Sequence, residues 1–269
     1  MVAEFVYANP PLAEVIAEVL WETIPLSVVP GAALDPYFPQ VSSAFEANLR
    51  AEGFGFTEFL APPTMPLELL AGQVVKRFRT GRDSYPIFQI GPGVATCNGA
   101  SPYAGWDAFS KTILLGMNSL VAAWPSAAAG PALKTIRLRY IDAFDHSFGY
   151  LQDVEFLSHL RVGSGVNAEV LEAFCQRADD VAVAVSTRFP LKHLPGATIT
   201  LSANRGQKDE KSAFLLDCIV ERAEVGAFAA VDVINWFDSA HQQISDIFHA
   251  VVTPELESRF GAKKYLGTK

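Results

Sequence analysis

The chain has 269 residues, of which 50% are hydrophobic and 19% charged, enough apolar material to build a continuous core. Its formal charge of -8 and pI near 5.1 argue against general nucleic-acid or anionic-membrane binding, because phosphate contacts need concentrated Lys and Arg. Three widely spaced cysteines, Cys97, Cys175 and Cys218, suit neither a disulfide framework nor a zinc ribbon and read as reduced thiols. No apolar run approaches the roughly 18 to 20 residues of a membrane helix, and Met1-Val2-Ala3-Glu4 lacks a basic leader, so a cytoplasmic protein with no membrane partner is expected.

In chain order, Asn9-Pro10-Pro11 forces an extended entry, since the residue before each proline is pushed out of the α region. Leu12 to Trp21 fits a helix by one count, yet Val15, Ala17, Val19 and Trp21 also alternate with Glu14, Glu18 and Glu22 as a half-buried strand does. A proline-rich connection through Pro25, Pro30, Pro36 and Pro39 leads to a helix near Val41 to Ala51, closed by Gly53 and Gly55. Strands are expected over Phe54 to Leu60 and over Gln73 to Thr80, with Gly81-Arg82-Asp83 as a turn.

Ser84 to Asp142 is the organising stretch. Phe88 and Ile90 alternate with Ile87, Gln89 and Gly91, and Gly91-Pro92-Gly93 must turn, because proline fixes φ while glycine admits positive φ. Trp106, Phe109, Ile113, Met117 and Leu120 recur at helical steps and give one apolar stripe. Ile136, Leu138 and Tyr140 alternate with Arg137 and Arg139, the pattern of a strand with one apolar face.

Beyond Asp142, Phe148, Leu151, Val154, Leu157 and Leu160 are spaced as a helix, and a second helical piece is expected over Asn167 to Cys175. A meander follows over Val181 to Leu191, Thr198 to Asn204 and Ala213 to Glu221, broken at Pro195-Gly196 and Arg205-Gly206-Gln207, with Ala229 to Ile234 as a fourth short run. Asn235 is expected to cap a final helix carrying Trp236, Phe237, Ala240, Ile244, Phe248 and Val251, and residues 261–269 to form a loose tail. The fold class is therefore α+β: a curved antiparallel sheet with two long amphipathic helices packed on it. The element order before Trp124 and after Leu133 suggests one domain built as a pseudo-twofold duplication, with repeats of about 7–124 and 133–260.

Tyr7-x-Asn9-Pro10-Pro11-Leu12-x-Glu14-Val15, Gln89-Ile90-Gly91-Pro92, Tyr103-x-Gly105-Trp106-x-x-Phe109, Leu138-Arg139-Tyr140-Ile141 and His241-x-x-Ile244-x-x-x-Phe248 fall in order along nearly the whole chain. Together they resemble a sporadically distributed family of uncharacterised bacterial proteins. The resemblance implies that the opening motif is a strand, and it brings no activity with it. Asp142 departs from the Asn that the family usually carries there.

Two constellations could carry chemistry. Arg77 and Arg79 share a face of one strand, as Arg137 and Arg139 do of another; on neighbouring strands the four guanidinium groups would converge on a carboxylate or phosphate. The alternative is a solvated sheet face with Asp142, Asp217 and Glu221 as partners. Tyr103 and Trp106 either staple the helix start onto the sheet or stack on a ligand. Asp142, Asp145 and His146 stand together at a strand end and would be the ligands of a divalent metal in a hydrolase. On the last helix, Asp238 with His241 and Asp246 with His249 are one turn apart and read as surface pairs.

No phosphate loop, dinucleotide fingerprint, zincin helix or nucleophile elbow is present, so no cofactor is expected. The leading expectation is a non-catalytic module binding a small anionic ligand or a partner protein. A metal-dependent hydrolase of phosphate-containing substrates is one alternative. A structural subunit is another, for which a broad exposed apolar patch would be the sign. The helical stripes also permit a homodimer.

Overall fold

The computed structural model describes residues 5–27, 29–62, 64–125, 131–163, 171, 173, 175, 177, 181–226 and 229–265. Contacts divide the chain into two units. The first takes Met1–Val15, Arg139–Val220 and Ala240–Lys269, and the second takes Ile16–Leu138 and Glu221–Ser239.

In chain order the elements begin with strands β1 (Phe5–Tyr7), β2 (Leu12–Trp21), β3 (Ile24–Pro25) and β4 (Ala33–Leu34). Helix α1 (Phe38–Ala51), strand β5 (Phe56–Phe59) and a 3₁₀ turn (Leu67–Leu70) follow. Next are β6 (Lys76–Arg79), β7 (Ile87–Gly91), β8 (Val94–Ala100), helix α2 (Trp106–Ala123) and β9 (Leu133–Phe144). A 3₁₀ turn (His146–Phe148), helix α3 (Asp153–Leu157) and strands β10 (Ala184–Pro190), β11 (Ala197–Lys208) and β12 (Lys211–Gly226) lead to the final helices α4 (Ala230–Val251) and α5 (Pro254–Ser258) and strand β13 (Lys263–Tyr265). Among the described residues, nine strands form an open antiparallel sheet in the order β10-β11-β12-β9-β2-β8-β7-β6-β5, so the α+β class holds. Helix count decided wrongly for Leu12 to Trp21 would have hidden β2; its buried Val15, Ala17, Val19 and Trp21 follow the period of two.

In the second unit, α1 and α2 cover one face of β6 to β8. Phe38, Val41, Phe45 and Leu49 of α1 are buried, and the Phe45 ring meets Phe78 at 5.8 Å and Phe88 at 6.4 Å. Helix α2 is seated through Gly116: a Cβ there would lie 2.4 Å from Phe88 Cε1, so the helix backbone rests directly on the β7 ring. Burying each such aromatic side chain stabilises the unit by about 1.5 to 3 kcal/mol.

The start of α1 depends on Asp35. Its Oδ1 accepts from the amides of Tyr37 and Phe38 at 3.1 Å each, satisfying two of the orphan donors at the helix start. Its Oδ2 accepts from Trp21 Nε1 at 2.8 Å and from the Gly93 amide at 2.9 Å. One buried carboxylate thus joins the end of β2, the β7–β8 turn and the first turn of α1. The helix starts at Phe38 rather than near Val41 because this anchor precedes it.

In the first unit the core is aromatic. Phe144 meets Phe148 at 5.7 Å and Phe156 at 5.3 Å, and Phe156 meets Phe214 at 5.5 Å. Buried Asp153 accepts from Tyr150 Oη at 2.7 Å, Arg205 Nε at 3.1 Å and the Val183 amide at 2.9 Å.

Several expectations are corrected. The helix expected from Phe148 to Leu160 is a 3₁₀ turn plus the short α3, because the Asp145 side chain caps the turn and Gly149 closes it at φ 79°. Arg205-Gly206-Gln207 lies inside β11; the hairpin turns instead at Asp209 and Glu210, with φ 49° and 64°. Ala229 to Ile234 is no strand but the start of α4, so Asn235 lies within that helix. Within the expected loose tail, Lys263–Tyr265 is a strand paired with β1, and residues 266–269 lie outside the described residues. The piece expected over Asn167 to Cys175 falls largely outside the described residues. Among the described residues no helix is long and apolar enough to cross a membrane.

Asp35→Ala leaves the Trp21 and Gly93 donors buried without an acceptor and should cost about 4 kcal/mol, whereas Asp35→Asn, which keeps one oxygen, should cost less. Urea unfolding followed by tryptophan fluorescence measures both; equal stability of wild type and Asp35→Ala would remove the anchor from this account.

Candidate functional site

The four arginines do not converge. Within the second unit, β9, which carries Arg137, is separated from β6, which carries Arg77 and Arg79, by β2, β8 and β7. Four strand steps amount to about 19 Å. Each arginine instead has carboxylate partners. Arg79 Nε donates to Glu58 at 2.9 Å and its Nη1 to the Ser84 carbonyl at 3.0 Å, while Arg77 lies 3.9 Å from Glu58. Arg137 bridges Glu18 and Glu221, the latter at 3.1 Å. In the first unit Arg139 forks onto both Asp217 oxygens, at 2.6 and 2.9 Å. This is the charge-paired sheet face weighed above as the alternative, with Asp217 and Glu221 as partners but not Asp142.

Trp106 begins α2, and its Nε1 donates to Asp238 Oδ1 at 2.7 Å. Its ring lies 5.9 Å from Phe109, which Tyr103 meets at 6.0 Å, the arrangement of a staple on the first turn. In the first unit a hydrogen bond of 2.8 Å joins His241 Nδ1 to Tyr140 Oη. Asp246 accepts from Gln242, and His249 lies 3.9 Å from Glu257.

Asp142, Asp145 and His146 do not assemble a metal site: among the described residues no group of three or more His, Cys, Asp or Glu side chains is placed to hold a metal ion. The physical reason is strand geometry. Asp142 faces the interior and is buried, while the half-buried Asp145 accepts from the amide and hydroxyl of Ser147. Burial opposes ionisation of Asp145, but the Ser147 hydrogen bonds hold its carboxyl below the usual range. Burial first, and then the Asp217 carboxylate, pushes Asp142 up to about 7. Burial lowers His241 to about 4.

The concave feature of the second unit is a groove of about 340 Å³ between the first turns of α1, the end of β5, the 3₁₀ turn at Leu67 and the start of β6. Its rim is apolar and open: Phe59 is 69% exposed, and Met65 and Leu67 are also exposed. Ser42 lines the groove, and its Oγ is buried with no hydrogen-bond partner. Lys76 stands at the rim, 5.5 Å from the centre of the Phe59 ring and 3.4 Å from Glu46. The groove can therefore receive an apolar side chain. Sequence reasoning missed this site, since Phe59, Met65 and Leu67 stand among prolines and look like any other core residues. Beside the groove, β5 ends the strand order, so among the described residues no strand pairs with its outer backbone edge.

Comparisons of the chain with family models, curated proteins and solved structures found no match.

Asp142 has a testable pH signature. Its carboxyl titrates near 3.8 when unfolded and about 7 when folded, so between these values the native state keeps a proton that the unfolded chain has lost. Stability from this group accordingly falls as pH rises through that window and is fully lost above pH 7. His241 acts oppositely: its contribution is complete above 6.5 and is lost as pH falls towards 4. The two slopes offset each other, so the difference between variants is the informative measurement. Asp142→Asn should be more stable than wild type by about 4 kcal/mol at pH 8 and by nothing below about pH 3, in chemical unfolding across that range.

Proposed function

We propose that the chain is a non-catalytic binding module that holds a segment of another protein, rather than a small anion, at the groove and open β5 edge of its second unit. The observation that carries this reading is the exposed apolar rim of Phe59, Met65 and Leu67 around the groove. Soluble domains seldom leave such a cluster uncovered, and apolar patches rimmed by polar groups mark sites of association. The pairing of Arg77, Arg79, Arg137 and Arg139 with carboxylates supports the choice of partner over anion, because an entering anion would have to displace Glu58, Glu18, Glu221 or Asp217. A role as one subunit of a larger assembly belongs to the same reading.

Replacing Phe59 and Leu67 together by Asp alters exposed positions and should leave the unfolding midpoint within a few degrees of wild type. The same variant, immobilised in an extract of the source cells, should recover at least about tenfold less bound protein than wild type. Equal recovery by the two would overturn the reading.

A further inference from the structure

The open edge of β5 has a pattern that fits one partner closely. Leu60 donates its amide to the Val75 carbonyl at 2.9 Å, towards β6. Backbone direction alternates along a strand, so Glu58 and Phe56 also turn their amides and carbonyls towards β6, while Gly55, Thr57 and Phe59 turn theirs to the open side. Side chains alternate as well. Thr57 and Phe59 lie on the face of α1, where Thr57 Oγ1 donates to Glu46 at 3.1 Å, and Phe56 and Glu58 lie on the other face.

From these observations we infer that β5 pairs antiparallel with β5 of a second copy of this chain, about a twofold axis through Thr57. This rests on the docking reading above and names its partner. A twofold axis normal to a sheet keeps each face on its own side, so opposite residues must be separated by an even number, and the axis must pass through a residue. Centring on Glu58 would set the two Glu58 carboxylates directly opposite one another, which is repulsive. Centring on Thr57 sets Thr57 against its own counterpart and Phe56 against Glu58 of the partner copy. Phe59 then stands opposite Gly55 of the other copy.

That last pairing uses two features of the surface. Gly55 has open space where a side chain would stand, with no atom within 4 Å of a Cβ built there, and Phe59 is 69% exposed. An aromatic ring laid over a cross-strand glycine covers both. All three outward-facing residues of each copy meet outward-facing partners, so every backbone donor and acceptor on that edge from Gly55 to Phe59 is satisfied. Short edge strands left open are association sites, and this one carries none of the proline or lysine that guards an edge. The exposed rim of the groove lies on the same face as Phe59, so pairing brings the apolar rims of the two copies side by side.

Sedimentation equilibrium of the intact chain over a range of about 1 to 100 µM tests the inference. The expected result is a reversible dimer. Thr57→Pro removes an outward amide without touching the β6 ladder and should weaken dimerisation at least about tenfold. Phe59→Asp, which leaves the backbone alone, should do the same and serves if the proline variant misfolds. A wild type that stays monomeric at the highest concentration overturns the inference, as does a dimer unaffected by both substitutions. If that monomer still recovers another protein through Phe59 and Leu67, the docking reading stands and only the second copy falls. If it recovers nothing, both fall.

Discussion

A single buried carboxylate sets the geometry of the second unit. Asp35 accepts four hydrogen bonds from three separate places in the chain: the Trp21 indole, the Gly93 amide and the first amides of α1. A charge taken out of water is tolerated only when its lone pairs are filled, and here both oxygens are filled twice. The position of Phe38 and Ser42 in the groove follows from where this carboxylate starts the helix. Gly116 then sets how closely α2 approaches β7, since nothing larger than hydrogen fits between its backbone and the Phe88 ring.

Charge on the sheet is spent internally. Each of the four strand arginines faces a carboxylate on a neighbouring strand: Glu58 with Arg77 and Arg79, Glu18 and Glu221 with Arg137, and separately Asp217 with Arg139. Partly exposed pairs of this kind contribute little stability each. Their greater effect is on register, because a slip of one residue would bury these groups on the opposite face. The chemistry left unspent is apolar: the Phe59 rim, the groove and the β5 edge.

The first unit holds its titratable groups differently. Buried Asp142 and half-buried His241 have their neutral forms favoured, and Cys218, held well up by burial and then by the Asp142 and Asp217 carboxylates, is a buried thiol. Such groups tie stability to pH rather than offer reactive atoms to solvent. An Asn at 142 would keep the shape of the neutral acid and lose its titration.

By itself the sequence determined the elements with long, clean periods. The α2 stripe from Trp106 to Leu120, the alternation of Ile136, Leu138 and Tyr140, and the Gly91-Pro92-Gly93 turn follow from local spacing and backbone sterics, and with them the α+β class. Short runs with two readings were left to tertiary structure: Ala230 to Ile234 forms the first turn of α4, with Val233 and Ile234 buried and Val231 exposed. Gly206 looked like a turn residue, but its missing side chain makes room for Leu215 inside the β11–β12 ladder. The strand order also lay beyond local pattern, and it alone decided that Arg77 and Arg137 would stand four strands apart. So did the exposure of Phe59 and Leu67, because hydrophobicity specifies a preference for burial while only the assembled fold decides which apolar residues are left uncovered.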